Sequence, residues 1–159
     1  MKKIIIFFIL LGSFFTKAQT EKPELKIYSF SEIEKMQQEN PKPIVVFVFT
    51  DWCKICFGMK KNTLENSNII KLLNNHFYFA KLNGEEKKDI HFLGKTFVYK
   101  SYGNKIGNHE LAIELASINN KLNYPTTIIL NKKFEIDLQI DTYINSKKME
   151  KILNNYLKL

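Results

Sequence analysis

The sequence predicts a single α/β domain in which a mixed central β-sheet is flanked by helices on both faces. Three observations predict it. Residues 44–50 and 77–82 are apolar runs rich in β-branched and aromatic residues, and the helical segments between them complete a β-α-β pattern that favours parallel pairing. Residues 128–130 and 134–140 form a simple antiparallel hairpin. The last helix, from about Ser146, places a row of apolar side chains on one face: Met149, Ile152, Leu153, Tyr156 and Leu157.

Composition narrows the class of protein. The chain has 159 residues, 45% hydrophobic and 25% charged, which suits one domain with its own core. The formal net charge is +8, yet all 24 basic residues are lysines. Because bidentate contacts to phosphate and guanine are arginine chemistry, we expect no nucleic-acid partner.

The first residues have the pattern of a secretory signal peptide. Met1–Lys3 is positively charged, residues 4–11 are an unbroken apolar run, and Ala18 lies where a signal peptidase cuts. The run is shorter than the roughly 20 residues that a membrane span needs. We therefore expect residues 1–18 to be removed, residues 19–25 to be loose, and residues 26–159 to form the domain.

Helix-capping residues and apolar runs predict the first strands and helices of that domain. A short strand is expected over 26–30, and Ser31 with Glu34 forms a capping box for a helix that ends at Asn40. The run 44–50 is too continuous to alternate, which predicts a central strand buried on both faces. Helical segments over 54–64 and from Ser67 precede the strand at 77–82.

The segment at about 84–107 is predicted to be an insertion. Its apolar residues flank Gly94 with partial alternation, which suggests a hairpin that packs against its own domain rather than serving as a partner-recognition surface. After it, Asn108 is a candidate cap for a helix that uses Leu111, Ala112, Leu115 and Ile118.

The two cysteines carry most of the functional information. Cys53 and Cys56 follow the buried strand directly, at the start of a helix. Unpaired backbone N–H groups and the helix dipole stabilise a thiolate there, which lowers the pKa of the first thiol. Cys56, one turn later, is close enough to form a disulfide or to resolve a mixed one. Lys54, with Lys60 and Lys61, adds positive charge, which Asp51 opposes.

Two other interpretations of the pair stay open. A zinc or copper module would need further ligands, and the candidates, His76, His91 and His109, lack ligand spacing and are expected at the surface or at helix starts. A c-type haem would need His after the second cysteine, where the chain has Phe57. A static structural disulfide is the second alternative, although it would close only a very small loop.

The segment from Val45 to Cys56 resembles the thioredoxin superfamily, whose members carry W-C-x-x-C at the end of a central strand. The resemblance extends to residues 80–83, after the active-site helix, and to Tyr124-Pro125-Thr126, which is similar to the cis-proline loop of thioredoxins. It covers about residues 26–158 apart from the insertion. The Asp51-Trp52-Cys53 opening most resembles secreted members and the periplasmic C-terminal domain of transmembrane disulfide reductases.

The resemblance implies a role for each residue of the motif. Trp52 would be a flat apolar docking surface, Cys53 would attack a substrate disulfide, and Cys56 would release the product. Pro125 in cis, between Tyr124 and Thr126, would let the backbone pair with an extended substrate segment.

Two positions depart from the thioredoxin pattern. Phe47 stands six residues before Cys53, where thioredoxins carry a buried acid that helps to deprotonate the second cysteine. Proton transfer at Cys56 would then use water, Lys81 or an acid not placed by sequence. Lys54-Ile55 between the cysteines differs from the usual dipeptides, which tune the redox potential.

These observations predict an exported thiol–disulfide oxidoreductase of the bacterial periplasm or cell envelope. It would be a reductase rather than an oxidase or isomerase, because the Asp51-Trp52-Cys53 opening resembles the reducing members. We expect a monomer that needs no cofactor beyond its redox-active disulfide. Its partners would be protein substrates with disulfides or thiols and a membrane electron-donor protein.

Overall fold

The computed structural model describes residues 23–103 and 106–159. The predicted signal peptide and most of the predicted loose segment lie outside these residues. In the described part the helices are α1 (Phe30–Glu39), α2 (Lys54–Met59), α3 (Ser67–His76), α4 (Glu110–Ala116) and α5 (Ser146–Tyr156), and a π-helical turn, Lys60–Leu64, extends α2. The strands are β1 (Ile44–Phe49), β2 (Tyr78–Asn83), β3 (Ile90–Phe92), β4 (Lys95–Phe97), β5 (Tyr99–Ser101), β6 (Gly107–His109), β7 (Ser117–Ile118), β8 (Lys121–Leu122), β9 (Thr126–Leu130) and β10 (Ile136–Ile140).

A mixed sheet in the order β10-β9-β1-β2 forms the centre of the described domain. Strand β1 pairs with β2 in parallel and with β9 antiparallel, and β10 returns antiparallel to β9. The residues of β1 from Ile44 to Val48 are buried, as expected for an interior strand with helices on both faces. The predicted β-α-β unit and the predicted hairpin are confirmed.

Two apolar clusters lie on opposite faces of this sheet. Helices α1 and α4 cover one face, with Ile33 and Leu111 among the buried residues. Helices α2, α3 and α5 cover the other, which we call the disulfide face because Cys53 and Cys56 belong to its cluster. The prediction of helices on both faces is confirmed. The apolar stripe of α5 ends at Tyr156, and Leu157 is exposed.

The first helix begins earlier than the sequence predicts. The Ser29 hydroxyl accepts a hydrogen bond from the Glu32 N–H, and the Glu32 carboxylate accepts one from the Ser29 N–H, so the capping box is Ser29–Glu32 rather than Ser31–Glu34. The predicted strand over 26–30 is wrong. Both box patterns occur in the sequence, and the earlier one places Phe30 in the first turn, where its side chain is buried.

The helix predicted from Asn108 also differs. Asn108 lies in β6, opposite Lys100, and the cap is His109, whose Nδ1 accepts a hydrogen bond from the Leu111 N–H. The helix ends at Ala116, and Ile118 belongs to β7. Residues 119 and 120 are asparagines with positive φ of 51° and 61°, a conformation that asparagine tolerates, and they form the turn of the small β7–β8 hairpin.

The insertion forms the predicted hairpin and a second ladder that was not predicted. Strands β3 and β4 pair around a two-residue turn, in which Leu93 and Gly94 have φ of 51° and 72°. Strands β5 and β6 form the second ladder, which runs to His109. Phe92 and Phe97 are buried with the α1 side of the core, so the hairpin packs against its own domain. Among the described residues, no helix is long and apolar enough to cross a membrane.

Candidate active site

The cysteine motif lies in the turn from β1 to α2. The backbone N–H of Cys53 donates a hydrogen bond to Thr50 O over 3.2 Å, which closes the turn after the strand. Cys53 is then the N-cap of α2, and Cys56 lies in the first turn of that helix. The two sulfurs are joined in a disulfide, with Cα atoms 5.2 Å apart. The structure therefore brings together the two cysteines that the sequence singles out.

The two cysteine residues differ in exposure. Cys53 is 7% exposed and Cys56 is 0% exposed. The backbone N–H of Cys56 donates a hydrogen bond to Cys53 Sγ over 3.0 Å. In the reduced protein the same N–H group would stabilise negative charge on Cys53. Cys53 is thus the more exposed residue of the pair, and its sulfur accepts the backbone hydrogen bond.

Trp52 lies at the surface beside the disulfide. Its side chain is 65% exposed, so it is not a core residue. The indole N–H donates a hydrogen bond to Glu85 Oε1 over 3.1 Å. The indole ring also meets the Tyr124 ring edge to face, with centroids 5.9 Å apart. These contacts fix the ring at the edge of the site while leaving much of its surface open to solvent.

The loop at residues 124–126 lies next to Trp52. The Tyr124–Pro125 peptide bond is cis. The Tyr124 hydroxyl donates a hydrogen bond to Asn108 Oδ1 over 2.9 Å, and burial, followed by nearby Glu85 and Tyr102, raises the pKa of Tyr124. Thr126 is buried, and its hydroxyl donates to Asn123 O over 2.7 Å. Tyr124 therefore lies between the cysteine motif and the end of the insertion.

Gly84 is required by this arrangement. A Cβ at this position would overlap the Tyr124 hydroxyl and ring. The Gly84 N–H donates to Phe49 O over 2.7 Å, and Gly84 O accepts from the His109 N–H over 2.7 Å. The glycine thus joins the end of β1 to the end of β6, directly beneath Tyr124.

The residues considered for tuning the site lie around its rim. Asp51, Lys54 and Ile55 are exposed, and Asp51 Oδ2 accepts a hydrogen bond from Asn83 Nδ2 over 3.0 Å. Lys60, one turn after Cys56, holds its ammonium 3.2 Å from the centroid of the Phe49 ring. Burial, followed by the charge of Lys81, lowers the pKa of Lys60, and Asp51 opposes the shift.

Phe47 occupies the position where the thioredoxin pattern has an acid. Its side chain is 1% exposed and stacks on Phe49 with ring centroids 5.9 Å apart. Its ladder neighbours are Lys81 on β2 and Thr127 on β9. Lys81 is the residue that the sequence suggested for proton transfer at Cys56. It is exposed, so its side chain lies in contact with solvent.

Sequence reasoning missed three residues of the site. Glu85 and Asn108 hold Trp52 and Tyr124, and Gly84 makes room for the tyrosine ring. The Asn83-Gly84 dipeptide is a turn signal that could have drawn attention to the glycine. No local pattern connects Glu85 or Asn108 with the aromatic residues that they contact.

The three histidines do not meet at the cysteines. His76 ends α3, His91 lies in β3 with its Nδ1 2.8 Å from Thr96 Oγ1, and His109 is buried as the cap of α4. In the described part of the chain, no group of three or more His, Cys, Asp and Glu side chains is arranged to hold a metal ion.

A cysteine pair in disulfide linkage at the first turn of a helix, with one residue slightly exposed and the other completely buried, is consistent with the class of thiol–disulfide oxidoreductases. The family model of the thioredoxin-like domain matches residues 30–157. The chain belongs to this family, and its mixed sheet flanked by helices is the thioredoxin fold that the sequence predicts.

Solved structures and one curated protein resemble the chain. The structure of DsbH oxidoreductase has a TM-score of 0.62 at 16% identity, covering 93% of this chain and 95% of that one. The reduced C-terminal domain of DsbD from Neisseria meningitidis has a TM-score of 0.52 at 12% identity, covering 79% and 90%. These likenesses concern the fold. An uncharacterized protein of Caenorhabditis elegans is 36% identical over 66 residues, which are 42% of this chain and 9% of that protein. The match thus spans less than a tenth of the curated relative's length.

Proposed function

We propose that this protein reduces disulfide bonds of other proteins in the bacterial cell envelope. The observation that carries the proposal is the disulfide at the start of α2, in which the residue Cys53 is 7% exposed and Cys56 is completely buried. This difference favours Cys53 as the cysteine that a substrate sulfur would reach and Cys56 as the cysteine that would resolve the mixed disulfide.

The exchange begins from the reduced protein. The Cys53 thiolate attacks one sulfur of the substrate disulfide, a Cys53–substrate bond forms, and the other substrate sulfur leaves as a thiolate that takes a proton from water. The backbone N–H of Cys56, which lies 3.0 Å from Cys53 Sγ, supports the attacking thiolate.

Cys56 completes the reaction. Its thiol loses a proton and its sulfur attacks Cys53 Sγ, so that the bond to the substrate breaks and the protein disulfide forms again. The substrate leaves as a thiolate and takes a proton to become its second thiol. Two electrons pass from the protein to the substrate, and a dithiol donor must return two electrons and two protons for the next cycle. We assign this role to a membrane electron-donor protein.

The surroundings of Cys53 suit an extended polypeptide. Trp52 offers an exposed apolar ring, and the loop at Tyr124 and Pro125 lies beside it, where its backbone would pair with an extended substrate segment. The direction of the exchange rests on the Asp51-Trp52-Cys53 opening, which resembles reducing members of the superfamily.

Reduction of insulin by dithiothreitol tests the activity. The wild-type protein should accelerate precipitation of the insulin B chain, and Cys53→Ser should lose the acceleration. Cys56→Ala is the matched variant, because it keeps the attacking sulfur and lacks the resolving one. It should accumulate mixed disulfides with envelope proteins, whereas Cys53→Ser should accumulate none. Equal rates for wild type and Cys53→Ser would contradict the proposal.

The location of the protein needs a separate test. Residues 1–18 have the pattern of a cleaved signal peptide, and the proposal is that the mature chain begins at Gln19 outside the cytoplasm. N-terminal sequencing of the protein from a periplasmic extract should begin at Gln19. Recovery from the cytoplasm with residues 1–18 intact would contradict export and leave the exchange chemistry untouched.

A further inference from the structure

We infer that Thr127 is a positioning residue for the exchange, and that its hydroxyl donates a hydrogen bond to the Cys56 thiolate when the disulfide is reduced. The inference rests on the proposed function, since it concerns the second sulfur of the same pair. Phe47 stands where thioredoxins carry a buried acid. The Thr127 hydroxyl would be the polar group on the same face of the sheet.

The hydroxyl of Thr127 is buried and unused in the oxidised protein. Thr127 is 3% exposed, and its Oγ1 has no hydrogen-bond partner among the described residues. Leaving a hydroxyl buried without a partner costs free energy, so such groups are uncommon in folded proteins. The buried hydroxyls of Thr63 and Thr126, by contrast, donate to Ile144 O and Asn123 O. The Thr127 hydroxyl is therefore available to donate a hydrogen bond when the disulfide is reduced.

The register of the sheet places Thr127 on the disulfide face. Thr127 lies opposite Phe47, and the next pair in the same direction, Ile129 and Val45, belongs to the cluster that contains Cys56. Residues opposite each other in a ladder share a face, and alternate residues of a strand return to it. Thr127 also lies two residues after Pro125, at the end of the sheet where α2 begins.

Cys56 is the group on this face that requires a hydrogen-bond donor once the disulfide is reduced and its thiol ionises. Its side chain is 0% exposed, and a buried thiolate without a hydrogen bond is strongly disfavoured. Phe47 offers no polar atom. The other elements of the disulfide face, α5 and β10, contribute apolar side chains to its cluster: Met149 and Leu153 from α5, and Leu138 and Ile140 from β10.

The charged and titratable groups around this face include Lys60 on the extension of α2, Lys81 on β2, Asp51 in the turn, Tyr124 before β9 and Tyr156 on α5, whose hydroxyl donates a hydrogen bond to Asp137. Lys81 and Asp51 are exposed, the Lys60 ammonium lies over the Phe49 ring, and the Tyr124 hydroxyl donates to Asn108. The hydroxyl of Thr127 can rotate to donate without changing the fold.

The proposed step moves no proton to threonine. When Cys56 ionises, its proton passes to water, and the Thr127 O–H points at the sulfur until that sulfur attacks Cys53; the substrate thiolate that then departs takes a proton from water. The hydroxyl lowers the pKa of Cys56 and raises the population of the resolving thiolate. Its loss should therefore slow resolution of the mixed disulfide and leave the first attack by Cys53 unchanged.

Thiolate absorbance at 240 nm tests the inference in a Cys53→Ser background, where Cys56 is the only thiol. Thr127→Val should raise the Cys56 midpoint by about one pH unit, the shift expected for losing a hydrogen bond to a charged group. Thr127→Ser should restore the original midpoint, because it keeps the hydroxyl. Thr63→Val is the matched control, since it removes another buried hydroxyl from a site where that group bonds to Ile144 O.

An equal midpoint for Thr127→Val and Thr63→Val would overturn the inference. The same holds for a failure of Thr127→Ser to restore the wild-type value. If Thr127→Val does not fold, an NMR pH titration of the reduced wild-type protein serves as the test instead. The γ-methyl carbon signal of Thr127 should shift at the pH where Cys56 ionises, while the Thr63 signal stays constant. A Thr127 signal that stays constant over pH would overturn the inference.

The two proposals fail separately. A wild-type protein that reduces insulin, with a Cys56 midpoint insensitive to Thr127, contradicts this inference alone. A protein that never reduces insulin contradicts the proposed function, even if the Cys56 midpoint depends on Thr127.

Discussion

The indole N–H of Trp52 donates a hydrogen bond to Glu85 Oε1 over 3.1 Å, so the tryptophan of the cysteine motif is anchored to the start of the inserted segment. The two residues are 33 positions apart in the chain. The edge of the same ring system meets Tyr124, which itself bonds to Asn108 near the end of the insertion. Both ends of the insertion thus help to position the aromatic rim of the disulfide.

Removing the carboxylate of Glu85 should loosen Trp52. Trp52 is the single tryptophan of the chain, so its fluorescence reports on this ring alone. In Glu85→Ala the steady-state anisotropy of the oxidised protein should fall, because the exposed indole loses its hydrogen bond. Glu86→Ala is the control, since Glu86 accepts from the backbone N–H groups of Lys87 and Lys88 and has no bond to the indole. Equal anisotropy in both variants would show that the bond does not restrain the ring.

A methyl group at Gly84 should destabilise the protein. In Gly84→Ala the new Cβ would overlap the Tyr124 hydroxyl, and insertion into a packed region costs about 1–3 kcal/mol. Urea denaturation should therefore show a lower midpoint, and insulin reduction should slow because Tyr124 must move away from Trp52. Gly58→Ala provides the comparison, because a Cβ there meets nothing within 4 Å. Since Gly58 lies inside α2, its replacement by alanine should stabilise the fold by about 0.5–1 kcal/mol. Equal effects of the two substitutions would contradict this description of Gly84.

Stability at alkaline pH should depend on Tyr124. Burial is the main cause that raises the pKa of Tyr124 above its ordinary value of 10.0, followed by the charges of Glu85 and Tyr102. The stabilising contribution is complete below the pKa of the unfolded chain, about 10, and is lost as the pH rises towards the folded pKa. The free energy of unfolding should therefore fall above about pH 10.

Denaturation curves at several alkaline pH values measure this dependence. Tyr124→Phe should give a shallower fall than the wild type, because one of the groups that bind a proton in the folded state is gone. Tyr156, whose pKa is raised by burial and then by Asp137, keeps its own contribution in that variant. An unchanged slope in Tyr124→Phe would contradict the assignment.

The parts of the fold that the sequence predicts are those set by long local patterns. The apolar run at 44–50 and the stripe of the last helix needed no tertiary information, and both are where the sequence places them, except that the strand ends at Phe49 and the stripe ends before Leu157. The start of α1 could not be chosen locally, because Ser29–Glu32 and Ser31–Glu34 satisfy the same capping pattern. Burial of Phe30 favours the first, and burial is a property of the folded chain.

Some residues of the candidate site follow from local sequence patterns, and others are recognised only in the folded structure. Cys53, Cys56, Trp52 and the Tyr124-Pro125 loop follow from a short motif and its distance to a proline before a strand. Glu85 lies in the insertion and Asn108 directly follows it, where no motif links them to the site, and their contacts become visible only when the strands are paired. The unused hydroxyl of Thr127 is likewise a property of the sheet register and not of any sequence pattern.

The reactivity of the reduced cysteines is the most direct test of the roles assigned to Cys53 and Cys56. Alkylation by iodoacetamide, followed over pH with mass-spectrometric assignment of each site, gives the pKa and the rate for both thiols. The assignment of Cys53 as the attacking thiol predicts that it reacts first, with a midpoint well below the ordinary thiol value of about 8.5, and that Cys56 reacts much more slowly. Equal rates at the two cysteines, with a Cys53 midpoint at about 8.5, would contradict it.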